Sequence, residues 1–475
     1  MVLVGVVVTA GVPATLGIMG SIGVSRAMVW TVAGAVLVIA LGTGVDYVRW
    51  RRTGYRIGPE RAELRQGLLL VKRRSLPLER IRTVDLTANL LLRVFGLVTV
   101  RIGTGEHARE GALELESVAR AEGERLRREL LAHAPEGAGE KPEEGLLASI
   151  RPGWVLYAPL SFLSPLLAGA SVGALLQISD WFGAQQDVIR FVAHCFRHAP
   201  LGWAIAGSAL VALLAGVAGA LGVWVEMWWN YRLEREPGGT LRVRRGLLTS
   251  RSVSVEERRL RGVEVVEPLG VRMFGAARVD AVATGLVHKE SREKHVDHRN
   301  LLPAAPRAVA HEVATRVLRA PSSPTAGPLP AHPPAARARR LRRALAAALA
   351  PAALFAVLGL GWVALCVAVV ALPAALYLAG TAYRALGHAL SGAYLVARSG
   401  AVRRSTVALQ RSGVVGWTVR QSYFQRRAGL VTLTATTAAG RGAYHVRDVA
   451  EGEALAFAEE AVPGLLAPFL TTDDA

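Results

Sequence analysis

Clusters of lysine and arginine recur at matched places along this 475-residue chain and are its side chains best suited to chemistry. Lys72, Arg73 and Arg74 form the first, Arg244, Arg245 and Arg251 the second, and Arg403 and Arg404 the third. Cations so grouped bind phosphate or carboxylate oxygens through charge-assisted hydrogen bonds. Beside an anionic lipid surface each contributes about 1 kcal/mol. The alternative, which the sequence leaves open, is that these charges serve only topology and solubility. Nucleic acid is disfavoured as a partner, because aromatic stacking residues do not interleave with the basic ones.

Catalytic patterns are absent from the sequence. His311-Glu312 begins like a zinc-protease helix, but Thr315 stands where the second histidine would be needed. His194, Cys195 and His198 share a helical face without a fourth ligand at useful spacing. Gly103-Thr104-Gly105 lacks the further glycine or lysine of a phosphate-binding loop. Cys195 and Cys366 are the only cysteines, which excludes a disulfide framework. The expectation is therefore a protein that is not an enzyme and takes no cofactor and no metal.

The elements that position the basic clusters repeat three times. Gly67 and Gly96, Gly246 and Gly275, and Gly400 and Gly429 are separated by the same 29 positions. Arg93, Arg272 and Arg426 each precede the second glycine by three. Ile81, Leu260 and Val414 fill one apolar column, and Val100, Val279 and Leu433 another. Tyr55, Tyr231 and Tyr394 mark the expected strand starts. Alternation such as Leu241-Arg242-Val243-Arg244 has the period of a half-buried strand. Each copy ends in a helical pattern, at residues 113–131, 306–318 and 449–462. Short antiparallel strands closed by one helix predict a small α+β barrel or sandwich.

The runs Arg73-Arg74-Ser75-Leu76-Pro77-Leu78-Glu79-Arg80-Ile81, Arg93-Val94-Phe95-Gly96-Leu97 and Gln421-Ser422-Tyr423-Phe424-Gln425-Arg426-Arg427-Ala428-Gly429-Leu430 carry a resemblance. They resemble the bacterial PH-like, membrane-flanked domain family, and three copies behind helix pairs resemble its YdbT-like membrane proteins. The resemblance implies PH-like folds on a membrane and no established reaction. The second copy departs at Glu256-Glu257 and the third at Ser412-Gly413.

Between the copies lie apolar blocks at residues 2–24, 28–48, 153–178, 201–229 and 344–382. A span needs ~20 apolar residues to cross ~30 Å of hydrocarbon. The last block is long enough for two short helices turning at Gly359-Leu360-Gly361-Trp362, so the expectation is about six transmembrane helices in three hairpins. Nine tryptophans, among them Trp154, Trp203, Trp228, Trp229 and Trp362, fall at span ends or turns, as an interfacial belt would place them. Residues 1–24 lack a basic leader and are read as a retained span rather than a cleaved signal. Arginines crowd the same ends of the hairpins, which places the polar copies in the cytoplasm.

The expected organisation is thus a hairpin at 1–50, a PH-like domain at 51–135, a hairpin at 150–230, a domain at 231–318, a Pro/Arg-rich linker at 319–343, a hairpin at 344–384 and a domain at 390–468. A formal charge of +19 with 52% hydrophobic residues and mean hydropathy +0.32 suits a multi-pass protein of the inner membrane. Its partners would be the bilayer, anionic phospholipid or an unidentified membrane protein, with a homo-oligomer left open and a role in envelope homeostasis or stress resistance. The alternative is a transporter component regulated by its domains, although the spans lack central ionisable residues.

Overall fold

A computed structural model of the chain describes residues 54–466 except 59, 67–71, 79–80, 82, 104–112, 133–144, 161–162, 199, 237–238 and 285–298, with scattered helical positions between 29 and 48. The first expected span and Gly67 lie outside the described residues, and the second expected span lies only partly within them.

The first module opens with a meander of β1 (Gly54–Ile57), β2 (Arg61–Gln66) and β3 (Lys72–Pro77). β4 (Thr83–Ala88), the one-turn helix α1 (Leu90–Val94), β5 (Leu97–Gly103) and β6 (Leu113–Ala119) follow, and α2 (Arg120–Ala132) closes it. The helix expected at 113–131 is therefore shorter. Leu113 and Leu115 are buried on β6, where Leu-Glu-Leu-Glu alternates, and the helix starts beyond a bulge at Ser117.

The second module has β7 (Gly145–Ser149), then a 3-10 segment, α3 (Leu163–Trp181), α4 (Gln185–His198) and α5 (Leu201–Trp228). β8 (Arg232–Glu236), β9 (Thr240–Arg245), β10 (Ser250–Glu256), β11 (Leu260–Pro268), α6 (Leu269–Met273), β12 (Ala276–Ala283), β13 (Asn300–Pro306) and α7 (Arg307–Leu318) complete it. The third follows the pair α8 (Pro334–Val357) and α9 (Gly361–Arg384). It contains β14 (Gly387–Ser391), β15 (Tyr394–Ser399), β16 (Arg403–Gln410), β17 (Gly416–Arg420), α10 (Tyr423–Arg426), β18 (Leu430–Thr436), β19 (Ala443–Ala450) and α11 (Glu451–Ala461). Tyr394 thus begins the second strand of its module rather than the first.

The repeated glycines have a conformational cause. Gly246 and Gly400 sit at φ 113° and 110°, and a Cβ there would meet a backbone oxygen at 2.0 and 1.9 Å. Gly96, Gly275 and Gly429, at φ 67°, 70° and 63°, end the one-turn helices in the left-handed region.

Each module is split between two sheets, and neighbouring modules share them. β4 of the first module pairs with β10 of the second, giving a seven-stranded sheet ordered β6-β5-β4-β10-β9-β8-β7. β11 of the second pairs with β16 of the third, giving the order β13-β12-β11-β16-β15-β14. Ion pairs reinforce the first junction: Arg127 of α2 forks onto Glu236 of β8 at 2.7 and 3.0 Å, and Arg242 reaches Glu124 at 2.6 Å. The largest core lies in the second module, where Tyr231, Leu233, Leu241, Leu301 and Leu302 are fully buried. Each such side chain stabilises the fold by about 1.5–3 kcal/mol.

The expectation of six spans is corrected. Among the described residues two helices, Gly202–Trp228 and Gly361–Arg384, are long and apolar enough to cross a membrane, with mean hydropathies of 2.2 and 2.3. The expected third span fails because Pro152–Leu160 forms the 3-10 segment, with Trp154 and Ala158 buried, while α3 ends in Gln177 and Asp180. The expected fifth fails because α8 starts in the arginine-rich linker, leaving an apolar stretch at 344–357 that covers only about 21 Å at about 1.5 Å per residue. The tryptophan belt is corrected in part: Trp154 and Trp228 belong to the core of the second module, whereas Trp203, Trp229 and Trp362 are exposed at helix ends as expected.

Candidate membrane-facing site

The one-turn helices α1, α6 and α10 repeat one geometry. Asn89 caps α1 by accepting from the Leu92 amide at 2.9 Å, and Ser422 and Gln425 form a capping box on α10. These turns hold large apolar side chains out of the protein. Val94 and Phe95, Met273 and Phe274, and Tyr423 and Phe424 are all exposed, with Phe95 at 72%, Phe274 at 63% and Phe424 at 71%. Arg93, Arg272 and Arg426 stand beside them. Apolar groups flanked by cations match the boundary between hydrocarbon and headgroups.

The first tip sits at the end of an apolar helix. Arg93 donates to the Leu247 carbonyl at 2.7 Å, and the Gly246 amide donates to the carbonyl of Trp229, just past α5. Glu226, near the end of α5, accepts from the Leu248 and Thr249 amides at 2.8 and 3.0 Å, so it braces this hairpin. At the second tip the Leu269 amide donates to the Val402 carbonyl beside Gly400.

A groove of about 520 Å³ opens where α8 and α9 meet the third module. It is lined by the apolar Ala344, Leu378, Ala379 and Ala382 and by the cations Arg339, Arg340, Arg343 and Arg447. A second cavity of about 390 Å³ shares Gln425, Thr432 and Arg447 with it and adds Arg420 and His445. Asp448 organises the first cavity. It is the bulge residue between β18 and β19, at φ 59°, a conformation aspartate tolerates. Its carboxylate is buried and accepts from Arg339, from Arg340 at 2.9 Å and from Gln425 at 3.1 Å. Burial pulls the Arg340 guanidinium below its ordinary value, which Asp448 opposes.

His332 and His388 lie behind the groove with ring nitrogens 3.1 Å apart, and His332 contacts the Asp448 carbonyl at 3.0 Å. Burial drives His388 down to about 4, with a smaller contribution from His332. Burial lowers His332 too, so both rings are neutral near neutral pH.

The residues singled out from sequence go elsewhere. Arg404 forks onto Glu267 of β11 at 2.5 and 2.6 Å, and Arg403 lies 3.7 Å from Glu264 and Asp280, so both sit at the junction of the second and third modules. Burial alone would raise the Glu267 carboxyl, but hydrogen bonds and charge from Arg404 and Arg307 hold it below its ordinary value. Arg244 lies 3.6 Å from Glu124 across the first junction. Arg245 is buried with its guanidinium 4.3 Å over the Trp228 ring. Arg251 pairs across the β10–β4 ladder with Thr87. Arg73 and Arg74 are exposed on β3, which also carries Lys72. Arg339, Arg340 and Arg343 were visible in the sequence only as part of a cluster before the last apolar block, and Arg447 carried no signal at all. The exposed tips were visible only as the residues preceding the second glycines.

The bacterial PH domain family model matches residues 6–134, 187–320 and 340–459. A relative, the transmembrane protein YdbT of Bacillus subtilis (strain 168), is 22% identical over 93% of this chain and 89% of its own length. No solved structure matches the chain. Three matches that cover most of the sequence, on three modules of one strand and helix order, make this chain a membrane protein of the bacterial PH domain family.

Proposed function

We propose that this chain is a non-enzymatic membrane protein that holds three PH modules at the inner face of the cell membrane to engage anionic phospholipid headgroups. The observation that carries this reading is the groove beside α8, whose lining combines apolar residues of two helices with four arginines and a single carboxylate. A phospholipid has the matching division, acyl chains on one side and a charged phosphate on the other. The exposed tips α1, α6 and α10 add anchorage in the same layer. α5 and α9 would enter the bilayer, each packed against the helix before it, α3 or α8, so that the chain leaves and returns on the side of the shared sheets. The arginines at the start of α8 favour the cytoplasmic side. A part in envelope maintenance is consistent with that placement.

The test is binding of anionic and zwitterionic phospholipid to the full-length protein in detergent, compared with the Arg343→Ala/Arg447→Ala variant. The expected result is preference for anionic lipid that weakens with salt and falls about tenfold or more in the variant. Equal binding of both lipid classes, or indifference to the substitutions, would sink the proposal.

A further inference from the structure

The two shared sheets follow one rule, and the rule leaves two strands over. Counted from the corresponding strands β1, β8 and β14, the third strand of a module pairs antiparallel at each junction with the fourth strand of the module before it: β10 with β4, and β16 with β11. The register is identical when counted from the repeated glycines. Ser252, six residues after Gly246, faces Leu86, ten before Gly96. Thr406, six after Gly400, faces Val265, ten before Gly275. Two junctions with unrelated side chains share this register because side-chain alternation and the glycine turns fix it.

Within the described residues the first and third modules each share a sheet on one side only. Among the described residues, β3 and β17 are therefore outer strands of three-stranded sheets ordered β1-β2-β3 and β17-β18-β19. Their burial shows the missing neighbour. The matching stretches of β10 and β16 are largely buried, whereas Arg73, Arg74 and Ser75 are exposed. β11 is buried almost throughout, whereas Thr418, Val419 and Arg420 are exposed, with Val419 at 42% and neighbouring Val415 at 68%. An outer strand bearing apolar side chains is a template for further pairing. These two are of complementary kind, since one lacks a fourth strand and the other a third.

We propose that this protein assembles head to tail with further copies of itself, β17 of one copy pairing antiparallel with β3 of the next. The shared register sets Val419 opposite Arg73, Thr418 opposite Arg74 and Arg420 opposite Lys72. Such a heterologous contact closes into a ring or continues as a filament. The like charges of Arg420 and Lys72 meet at the end of the ladder, so assembly strengthens as salt rises, opposite to the salt response of lipid binding.

The test uses full-length protein in detergent with Cys195→Ser and Cys366→Ser. One preparation carries Arg73→Cys and another Val419→Cys, both at exposed positions, and the two are mixed under mild oxidation. The expected result is a disulfide-linked dimer, formed about tenfold more than with Val415→Cys, which is out of register. Absence of the dimer, or equal yield from Val415→Cys, overturns the proposal. A chain carrying both cysteines that crosslinks only within itself also overturns it. Sedimentation of the unsubstituted protein is an independent check: species larger than a monomer that grow with concentration and salt are expected, and a monomer under all conditions contradicts the assembly.

Discussion

At the junction of the second and third modules, Arg278, Arg307, Arg403, Arg404 and Arg441 share Glu264, Glu267 and Asp280. In the groove beside α8, Arg339, Arg340, Arg343 and Arg447 gather round Asp448. The chemistry of the cations is the same in both places, and the difference lies in their supply of carboxylates. At the junction every one of these cations has a carboxylate within 4 Å, and for Arg403, Arg404 and Arg441 it belongs to the other module, so they fix one module against the next. In the groove one buried carboxylate holds two guanidiniums in place and leaves Arg343 and Arg447 in excess among apolar lining residues. A net charge of +19 therefore does not mark a site by itself; the local imbalance does.

The largest effect that separates the two regions is expected from Asp448→Ala. It strands Arg339 and Arg340 partly buried without their anion, and about 3–5 kcal/mol of stability should be lost in denaturation of the detergent-solubilised protein. Asp448→Asn, which tolerates the same backbone, should lose less. Unchanged unfolding of the alanine variant would show that the groove is not organised by this carboxylate. Next comes Arg404→Ala at the junction, where the fork to Glu267 is lost while Arg307 remains 2.8 Å away. About 2 kcal/mol is expected, and a cost near zero would reduce the fork to an ordinary surface pair.

A smaller effect separates the regions by pH. His388 has an ordinary value of 6.5 and is held at about 4 in the folded protein. The unfolded chain thus takes up the proton first as pH falls, and the stability of the neutral His332–His388 pair, complete above about pH 6.5, is lost toward pH 4. Thermal unfolding should shift down across that window, and His388→Gln should flatten the shift. A flat profile in the unsubstituted protein would contradict the buried neutral pair. The smallest expected effect is that of Arg343→Ala, which should leave unfolding unchanged and weaken anionic lipid binding about fivefold, equivalent to about 1 kcal/mol.

Much of the modular fold was legible in the sequence because glycines report backbone conformation directly. Gly246 and Gly400 cannot carry a Cβ, and that local constraint repeats at constant spacing. The membrane helices were overcounted because apolar content does not say what covers it. Trp154 and Ala158 are as apolar as any lipid-facing residue, yet they are buried in a module. Site residues were hardest to foresee, since an arginine is neutralised or left in excess according to sheet register. Arg404 meets Glu267 across 137 positions, and Arg339 meets Asp448 across 109. Nothing local distinguishes the two arginines.

On the proposed function the groove, and not the junction, holds anionic lipid. Native mass spectrometry of the full-length protein released from its membranes compares lipid retained by Arg343→Ala/Arg447→Ala with that retained by Arg403→Ala. Loss of bound anionic phospholipid in the groove variant, with retention in the junction variant, is the predicted result. Equal retention in both, or loss only in Arg403→Ala, would contradict it.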